Sequence, residues 1–250
     1  MLTPSEVAAV VVKASEKKAS LSWWRMILLG MMAGAFIALA GVGATFANVY
    51  VGKIAGALVF QAGLAMVVVA GSELFTGNNL MVMGLLNRKF GFAKLLKNWT
   101  LVFIGNLLGA LIVAGLVAVS GVFDSVASTV VATASAKVNF GFGEAMIRGV
   151  LCNFLVCIAV WMAFAADSVG GKIIAVFFPI MLFVLCGFEH SVANMFYIPA
   201  GMFMSGFNGV MEPSIAGFLV GNLLPVTLGN IIGGAIFVGG TYYLVYSKKK

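Results

Sequence analysis

The chain has 250 residues, of which 62% are hydrophobic and only 9% are charged, and its formal net charge is +7. A soluble globular domain carries about 25% charged residues, so this composition excludes a water-soluble fold and predicts an integral membrane protein. The basic residues lie in short loops and at the chain ends. This placement favours contact with an anionic membrane face over nucleic-acid binding.

The first 20 residues are predicted to form an amphipathic helix. Thr3 and Glu6 have the spacing of a capping box, with proline at the first helical position. Apolar residues then repeat at helical spacing, and Lys13, Lys17 and Lys18 are expected to face water or lipid headgroups. The segment lacks a short apolar run that ends in small residues, so no cleavable signal peptide is expected.

Six membrane spans of about 20 residues each are predicted from the apolar runs. The second and fifth spans are interrupted by polar residues and then resume. The predicted spans are 26–47, 54–71 (broken at 72–79 and resumed over 80–86), 99–122, 143–166, 173–187 (broken at 188–194 and resumed over 195–204) and 214–246.

The two breaks share one pattern, G-x-E-x-x-x-x-N, over residues 71–78 and 187–194. Backbone polar groups at membrane depth lose water and need other partners, so a break there is costly and indicates a binding site or pore. Glu73 and Glu189 are expected to satisfy freed backbone N–H groups or to lie at the interfacial ends of the breaks. The alternative is that these carboxylates carry protons.

The repeat extends beyond the breaks, because the G-N-x-x-G pattern of residues 105–109 recurs at 229–233. Each half then has three spans with the broken one in the middle, and an odd number of spans inverts the second copy. The prediction is an all-α integral membrane protein: one domain over 1–250, with an inverted 3+3 repeat of 26–122 and 143–246.

Loop lysines and arginines predict the orientation. Four precede the first span, four separate the second and third, one separates the fourth and fifth, and three follow the last span. The opposite face carries only Lys53 and Lys137, and Arg148, just inside the fourth span, is interpreted as a snorkelling anchor or a site residue. Both termini are therefore expected in the cytoplasm, with the protein in the plasma membrane.

His190 is the single histidine of the chain, and it lies on the second break. An ionisable group in a broken span is expected to be functional, with hydrogen bonding in the core as the alternative. Thr76 on the first break can donate a hydrogen bond or simply form a turn. Half-helices are expected to begin at Leu80 and Met195, capped by the preceding asparagines, and their N-termini suit a small anion or polar solute.

Lys137 is the only positive residue within 124–141, which makes it a candidate for anion attraction or an ordinary solvated lysine. Several apolar residues near the breaks are candidates for constrictions that exclude hydrated ions, with core packing as the alternative. These are Phe60, Leu64, Leu74, Phe75 and Phe183. The three cysteines are expected to be buried free thiols, and neither a metal site nor a cofactor motif is predicted.

At these residues the chain resembles the formate/nitrite transporter family of pentameric channels for small monovalent anions. The matching stretches are 71–79, 97–99 with 105–107, 148–157 and 187–195. The resemblance implies a homopentamer of aquaporin-like protomers, each with its own pore in the lipid bilayer, and places Thr76 near His190. It implies that Lys137 draws anions into an outer vestibule and that Asn153 lines the pore.

The resemblance also implies two constrictions, one of Leu64, Leu74 and Phe75 and the other of Phe60 and Phe183. Formate, nitrite and hydrosulfide are the implied substrates, and Thr76-Gly77 favours the nitrite and hydrosulfide members. An aquaporin-type channel for neutral solutes is the alternative, although the breaks contain no proline. A membrane enzyme built on His190 and a glutamate is a further alternative, without a metal triad or cofactor motif to support it.

Overall fold

The computed structural model describes residues 1–206 and 213–247. Within these ranges six helices are long and apolar enough to cross a membrane, which confirms the six predicted spans. The helices are α1 (Pro4–Ala19), α2 (Trp23–Tyr50), α3 (Lys53–Phe60 continued by Ala62–Ala70), α4 (Val82–Leu86), α5 (Phe92–Val119), α6 (Ala127–Val138), α7 (Phe142–Ala165), α8 (Val169–Cys186), α9 (Ser191–Gly206) and α10 (Gly217–Ser247).

The spans are longer than predicted at several ends, and α6 was not predicted at all. α6 lies in the loop between the third and fourth spans, where small residues dominate the sequence. Val130 and Ala134 are buried, and Ala134 lies against Gly201 of α9 so closely that a side chain at Gly201 would collide with it. Tertiary packing against α9 therefore stabilises a helix that is too short to be stable alone. Lys248–Lys250, which contribute to the orientation prediction, lie outside the described residues.

The predicted capping box of α1 is present, with Glu6 and Thr3 bonded to each other's backbone N–H groups. Its Val7 and Val11 are buried against α4, α7 and α10. The N-terminal ammonium group lies 3.0 Å from a carboxylate oxygen of Asp167 and lowers the pKa of that side chain. One face of α1 is thus packed into the helix bundle, while Lys13 and Lys17 are exposed as expected. The expectation is wrong for Lys18, which is partly buried and pairs with Glu73.

Equivalent glycines bring the first and last spans of each half into backbone contact. In the first half, a side chain at Gly109 of α5 would collide with the carbonyl of Met31 in α2. In the second half, a side chain at Gly233 of α10 would collide with the carbonyl of Val150 in α7. Such small residues let membrane helices approach closely. The two halves therefore pack in the same way around their broken spans.

Candidate functional site

The two breaks end their preceding helices in the same way. Gly71 and Gly187 both adopt a left-handed conformation, with φ angles of 78° and 69°, which glycine adopts without steric strain. The chain then turns back as a 3₁₀ turn over Gly77–Met81 leading into α4, and as α9 starting at Ser191. The predicted starts at Leu80 and Met195 are therefore wrong by several residues, because helical turns form earlier.

The asparagines of the breaks do not cap these half-helices. At the first break, Asn78 Nδ2 donates to Glu73 Oε2 at 2.7 Å and to Asn98 Oδ1 at 2.9 Å. Lys18 Nζ completes the set at 2.7 Å from Glu73 Oε1, and Asn98 Nδ2 donates to the Lys18 carbonyl at 3.3 Å. Glu73, Asn78 and Asn98 are buried. A closed polar network thus surrounds the first carboxylate.

The second break repeats this network with the corresponding residues. Asn194 Nδ2 donates to Glu189 Oε2 at 2.6 Å and to Asn222 Oδ1 at 2.7 Å. Lys137 Nζ lies 2.7 Å from Glu189 Oε1, and Asn222 Nδ2 donates to the Lys137 carbonyl at 2.7 Å. The Lys137 side chain is only 16% exposed, so it is an ion-paired vestibule residue rather than an ordinary solvated lysine.

Two further asparagines hold the freed backbone groups of the breaks. Asn106 Oδ1 accepts from the Phe75 N–H at 2.9 Å, and Asn106 Nδ2 donates to the carbonyls of Gly30 and Glu73. Asn230 makes the equivalent three bonds, to the N–H of Ser191 and to the carbonyls of Gly149 and Glu189. The expectation that the glutamate carboxylates bind freed N–H groups is therefore wrong, because these amides bind them instead.

Thr76 and His190 meet where the two breaks approach each other. Thr76 Oγ1 lies 2.9 Å from His190 Nε2, and both residues are buried. The backbone N–H of Ala193 donates to His190 Nδ1 at 3.0 Å, so Nδ1 is an acceptor and the Nε2 atom of the neutral ring carries the hydrogen. His190 is thus the N-cap of α9, and its Nε2–H donates to the Thr76 hydroxyl.

The carbonyl group of Thr76 is held from the second half of the chain. Asn153 Nδ2 donates to it at 3.2 Å and to the Asn230 carbonyl at 2.7 Å. The Cys157 thiol also donates to the Thr76 carbonyl, at 3.4 Å. Asn153 and Cys157 are fully buried on α7. These bonds fix the backbone of the first break and leave the Thr76 hydroxyl free to point toward His190.

Two vestibules open at opposite ends of α3. The first, a cavity of about 350 Å³, is lined by the C-terminal part of α3 and by Lys18, Glu73, Leu64 and Leu74. The second, of about 190 Å³, is lined by the N-terminal part of α3 and by residues that include His190. The second vestibule is also lined by charged and aromatic side chains, namely Lys53, Lys137, Glu189, Phe60 and Phe183.

The candidate constriction residues separate into two groups. Leu64 and Leu74 line the first vestibule, whereas Phe60 and Phe183 line the second and pack edge-to-face with ring centroids 5.8 Å apart. Phe75 lines neither vestibule. Its ring packs edge-on against α5, 5.0 Å from Phe103 and 6.1 Å from Trp99. Its predicted place at a constriction therefore stays a prediction.

Several site residues were not predicted from the sequence. Lys18 was expected to face water or lipid headgroups, and Asn98 and Asn222 were assigned no role. The signal was present, because Asn98 and Asn222 have the same separation as the repeated G-N-x-x-G patterns. Cys186 was expected to be buried and is exposed. In the described part of the chain, His, Cys, Asp and Glu side chains form no group of three that could hold a metal ion.

The chain is similar to known membrane transporters over nearly its whole length. The family model described as "Formate/nitrite transporter" matches residues 5–244. An uncharacterized transporter of Bacillus subtilis, YrhG, is 41% identical and covers 98% of this chain and 94% of its own length. The formate channel FocA of Escherichia coli K12 is 35% identical over 100% of this chain and 96% of its own. Such relatives are transporters and channels rather than enzymes.

Two solved structures share the fold. A pentameric formate channel with formate bound is 34% identical, with a TM-score of 0.79 over 90% of this chain and 98% of its own. An ion channel of the same family is 29% identical, with a TM-score of 0.83 over 96% of this chain and 98% of its own. The chain therefore belongs to the formate/nitrite transporter family.

Proposed function

We propose that this chain carries formate across the plasma membrane as a homopentamer, with one pathway in each protomer between the two vestibules. The observation that carries the proposal is the buried contact of Thr76 with His190 between the two vestibules. The formate channels among the relatives support formate as the substrate. Nitrite and hydrosulfide are smaller or similar monovalent anions that the same polar pair could accept.

The proposed entry step is electrostatic. The second vestibule contains Lys53 and Lys137, with Glu189 as the one carboxylate among its described lining residues. The first contains Lys18 and two other lysines, Lys17 and Lys172, against the carboxylate of Glu73. Among the described lining residues, each vestibule thus carries more positive than negative side chains. An excess of one charge sign in a cleft raises the local concentration of the opposite ion, so anions gather at both ends.

The two apolar constrictions set the energy barrier to anion passage in this proposal. Leu64 and Leu74 lie on the first side, and Phe60 and Phe183 on the second. Transfer of an anion from water into such surroundings, without hydrogen bonds, costs several kcal/mol or more of free energy. Thr76 and His190, between the two constrictions, offset part of this cost, which favours ions small enough to reach them.

The Thr76 hydroxyl is the proposed donor to the passing anion. His190 Nε2–H donates to Thr76 Oγ1, so the hydroxyl hydrogen points elsewhere and can reach a carboxylate oxygen. For His190 to take up a second proton, Nδ1 would have to give up the bond from Ala193 that caps α9. This arrangement supports hydrogen-bond donation, rather than proton transfer from His190, as the role of the pair.

The proposed orientation places the first vestibule and both termini in the cytoplasm. The first vestibule shares its wall with α1, and basic residues cluster in α1 and around 88–97. Basic loops favour the cytoplasmic face. Labelling of single cysteines placed at residues 13 and 122 in intact cells, after replacement of Cys186 by serine, would test the orientation, with a membrane-impermeant reagent reacting only at 122.

The transport proposal can be tested in proteoliposomes that contain the purified pentamer. Formate flux should exceed glycerol flux, and nitrite and hydrosulfide should be compared in the same vesicles. Thr76→Val keeps the side-chain shape and removes the hydroxyl, so formate flux should fall by about tenfold, the effect of one hydrogen bond to a charged group. Thr76→Ser should retain most of the flux. Glycerol flux without formate flux in the wild type would refute the proposal.

A further inference from the structure

The two breaks share one backbone hydrogen bond to the first span of their own half, but the side chain of the accepting residue differs. The backbone N–H of Glu73 donates to the Leu29 carbonyl at 3.2 Å, and that of Glu189 donates to the Arg148 carbonyl at 3.3 Å. Leu29 and Arg148 thus hold equivalent positions in the first span of each half. One repeat has an aliphatic side chain there, whereas the other has a guanidinium group.

Arg148 uses its side chain as well as its carbonyl at the second break. Its Nη1 atom donates to the carbonyl oxygen of Gly187 at 3.0 Å. Gly187 is the left-handed residue at which α8 ends, so its carbonyl has left the helix. The Gly71 carbonyl at the first break cannot receive such a bond from Leu29, because an aliphatic side chain has no donor.

The guanidinium group is held in place by two neighbours on or near α7. Its Nη2 and Nε atoms lie 2.8 and 3.0 Å from Glu144 Oε1. Its Cζ atom lies 4.3 Å from the centroid of the Phe140 ring, in a cation–π contact. A planar group with several directed donors that is oriented in this way is pre-organised for the carbonyl. One donor of this group reaches the Gly187 carbonyl, so Arg148 binds the break as well as its own helix.

The segment that Arg148 holds is continuous with the second constriction. The Phe188 N–H, next to Gly187, donates to the Phe183 carbonyl at 3.0 Å. The Phe183 ring lies 5.8 Å from the Phe60 ring and 5.8 Å from the His190 ring. A shift of the Gly187 carbonyl therefore moves the residue that forms the constriction and packs on the polar pair.

We propose that Arg148 is a positioning residue that fixes the second break and thereby the width of the Phe60–Phe183 constriction. The effect on transport rests on the proposed anion pathway, whereas the effect on the break does not. Arg148 itself lines neither vestibule, so it acts through Gly187 and Phe183 rather than by touching the anion.

Three variants of the full-length pentamer test this role. Arg148→Leu installs the residue of the other repeat, and Arg148→Lys keeps one charged donor. Glu144→Gln is the control, because its amide oxygen can still accept from the guanidinium group and the bond to Gly187 stays in place. Hydrogen exchange is measured on peptides that cover 187–193, with the first break at 71–76 as an internal reference. Transport is measured as the ratio of acetate flux to formate flux in proteoliposomes.

Arg148→Leu should speed exchange at Phe188 and Glu189 by about tenfold, the effect expected for loss of a hydrogen bond with a charged donor. In the same variant, exchange at the first break should be unchanged and the acetate-to-formate flux ratio should change by at least about threefold. Both readouts for Arg148→Lys should lie between those of Arg148→Leu and the wild type, and Glu144→Gln should resemble the wild type. Unchanged exchange over 187–193 together with an unchanged flux ratio would overturn the role. If Arg148→Leu does not assemble, the same two readouts on Arg148→Lys decide.

The two proposals fail separately. Wild-type vesicles that pass no formate would refute the transport proposal, while faster exchange at the second break in Arg148→Leu would still support the positioning role. Formate transport in the wild type with exchange at the break that is insensitive to residue 148 would do the reverse.

Discussion

Glu73 and Glu189 have equivalent partners in the two inverted halves of the protein. Each carboxylate lies 2.7 Å from a lysine ammonium group and accepts a hydrogen bond from the asparagine five residues later in the chain. Each lysine in turn comes from a short helix, α1 or α6, outside the six spans. The duplicated unit therefore includes these helices, and α1 is the counterpart of α6.

Lys137 is expected to act through its ion pair, in contrast to Lys53 in the same vestibule. Lys137→Gln leaves the buried Glu189 carboxylate without its cation, and breaking a buried pair costs about 3–5 kcal/mol. Formate flux should fall by at least tenfold at about 0.05 M salt and stay low at about 0.5 M salt, where surface charges are screened. Stopped-flow uptake at the two salt concentrations measures this.

Lys53→Gln is the matched control, because Lys53 is exposed and forms no ion pair with any residue that the structure describes. Its flux deficit should be about twofold at low salt and vanish at high salt. Equal salt dependence in the two variants would contradict a special role for the buried pair.

Leu74 and Phe75 are adjacent residues with different expected effects. Leu74→Ala should enlarge the first constriction, so formate flux should rise and acetate should enter faster, because Leu74 lines the first vestibule. Phe75→Ala should leave the size cutoff unchanged and lower the stability of the pentamer, on the order of 3 kcal/mol for a cavity beside Phe103. Flux ratios and thermal unfolding in detergent separate the two outcomes.

A wider cutoff in Phe75→Ala with normal stability would place Phe75 at the constriction instead. An unchanged rate and cutoff in a folded Leu74→Ala pentamer would remove Leu74 from the pathway.

His190→Phe should stop or strongly change anion flux without unfolding the pentamer. Phenylalanine can keep the stacking on Phe183, whose ring lies 5.8 Å from the imidazole. The variant loses the bonds to Thr76 and to the Ala193 N–H, each worth about 1 kcal/mol. Flux and its pH dependence in proteoliposomes, together with gel filtration, measure the outcome.

His190→Asn separates the two bonds, because asparagine is a good N-cap but its side chain is too short to replace Nε2. It should restore stability and leave flux impaired. Wild-type flux with a wild-type pH profile in either variant would refute a transport role for the imidazole.

Gly109→Ala should prevent close packing of α2 and α5, since the added methyl group would collide with the Met31 carbonyl. The expected result is loss of assembled pentamer. Gly115→Ala on the same helix meets nothing within 4 Å in the protomer and should be harmless. Pentamer yield for the pair gives the test, and equal yields would show that the contact between α2 and α5 can relax.

The six spans, the two breaks and the inverted repeat could be predicted because long apolar runs and recurring polar patterns survive in the sequence. The hydrogen-bond partners of the residues in the breaks could not be predicted, because a carboxylate such as Glu73 accepts equally well from backbone and side-chain donors. Only the fold shows that Asn106 takes the backbone groups and leaves Glu73 to Lys18.

The predictions of where α9 starts and of what α1 packs against were wrong for a related reason. Histidine is an uncommon N-cap, so the sequence favoured Asn194 over His190 as the residue before the helix. The apolar face of α1 would suit a lipid surface or a protein surface equally well. The structure places Val7 and Val11 against protein, a choice that depends on α4, α7 and α10, which follow later in the chain.

The polar networks around Glu73 and Glu189 each draw their members from one half of the chain. Among the described residues, the side-chain hydrogen bonds that join the buried parts of the two halves all end on Thr76. The ion-pair network of each break can therefore form within its own half, whereas the Thr76 carbonyl gains its partners only when the second half packs against the first. Assembly then joins two halves whose carboxylate networks are already complete, and the proposed pathway lies where they meet, so 1–122 and 123–250 expressed as separate fragments should reassemble in one membrane.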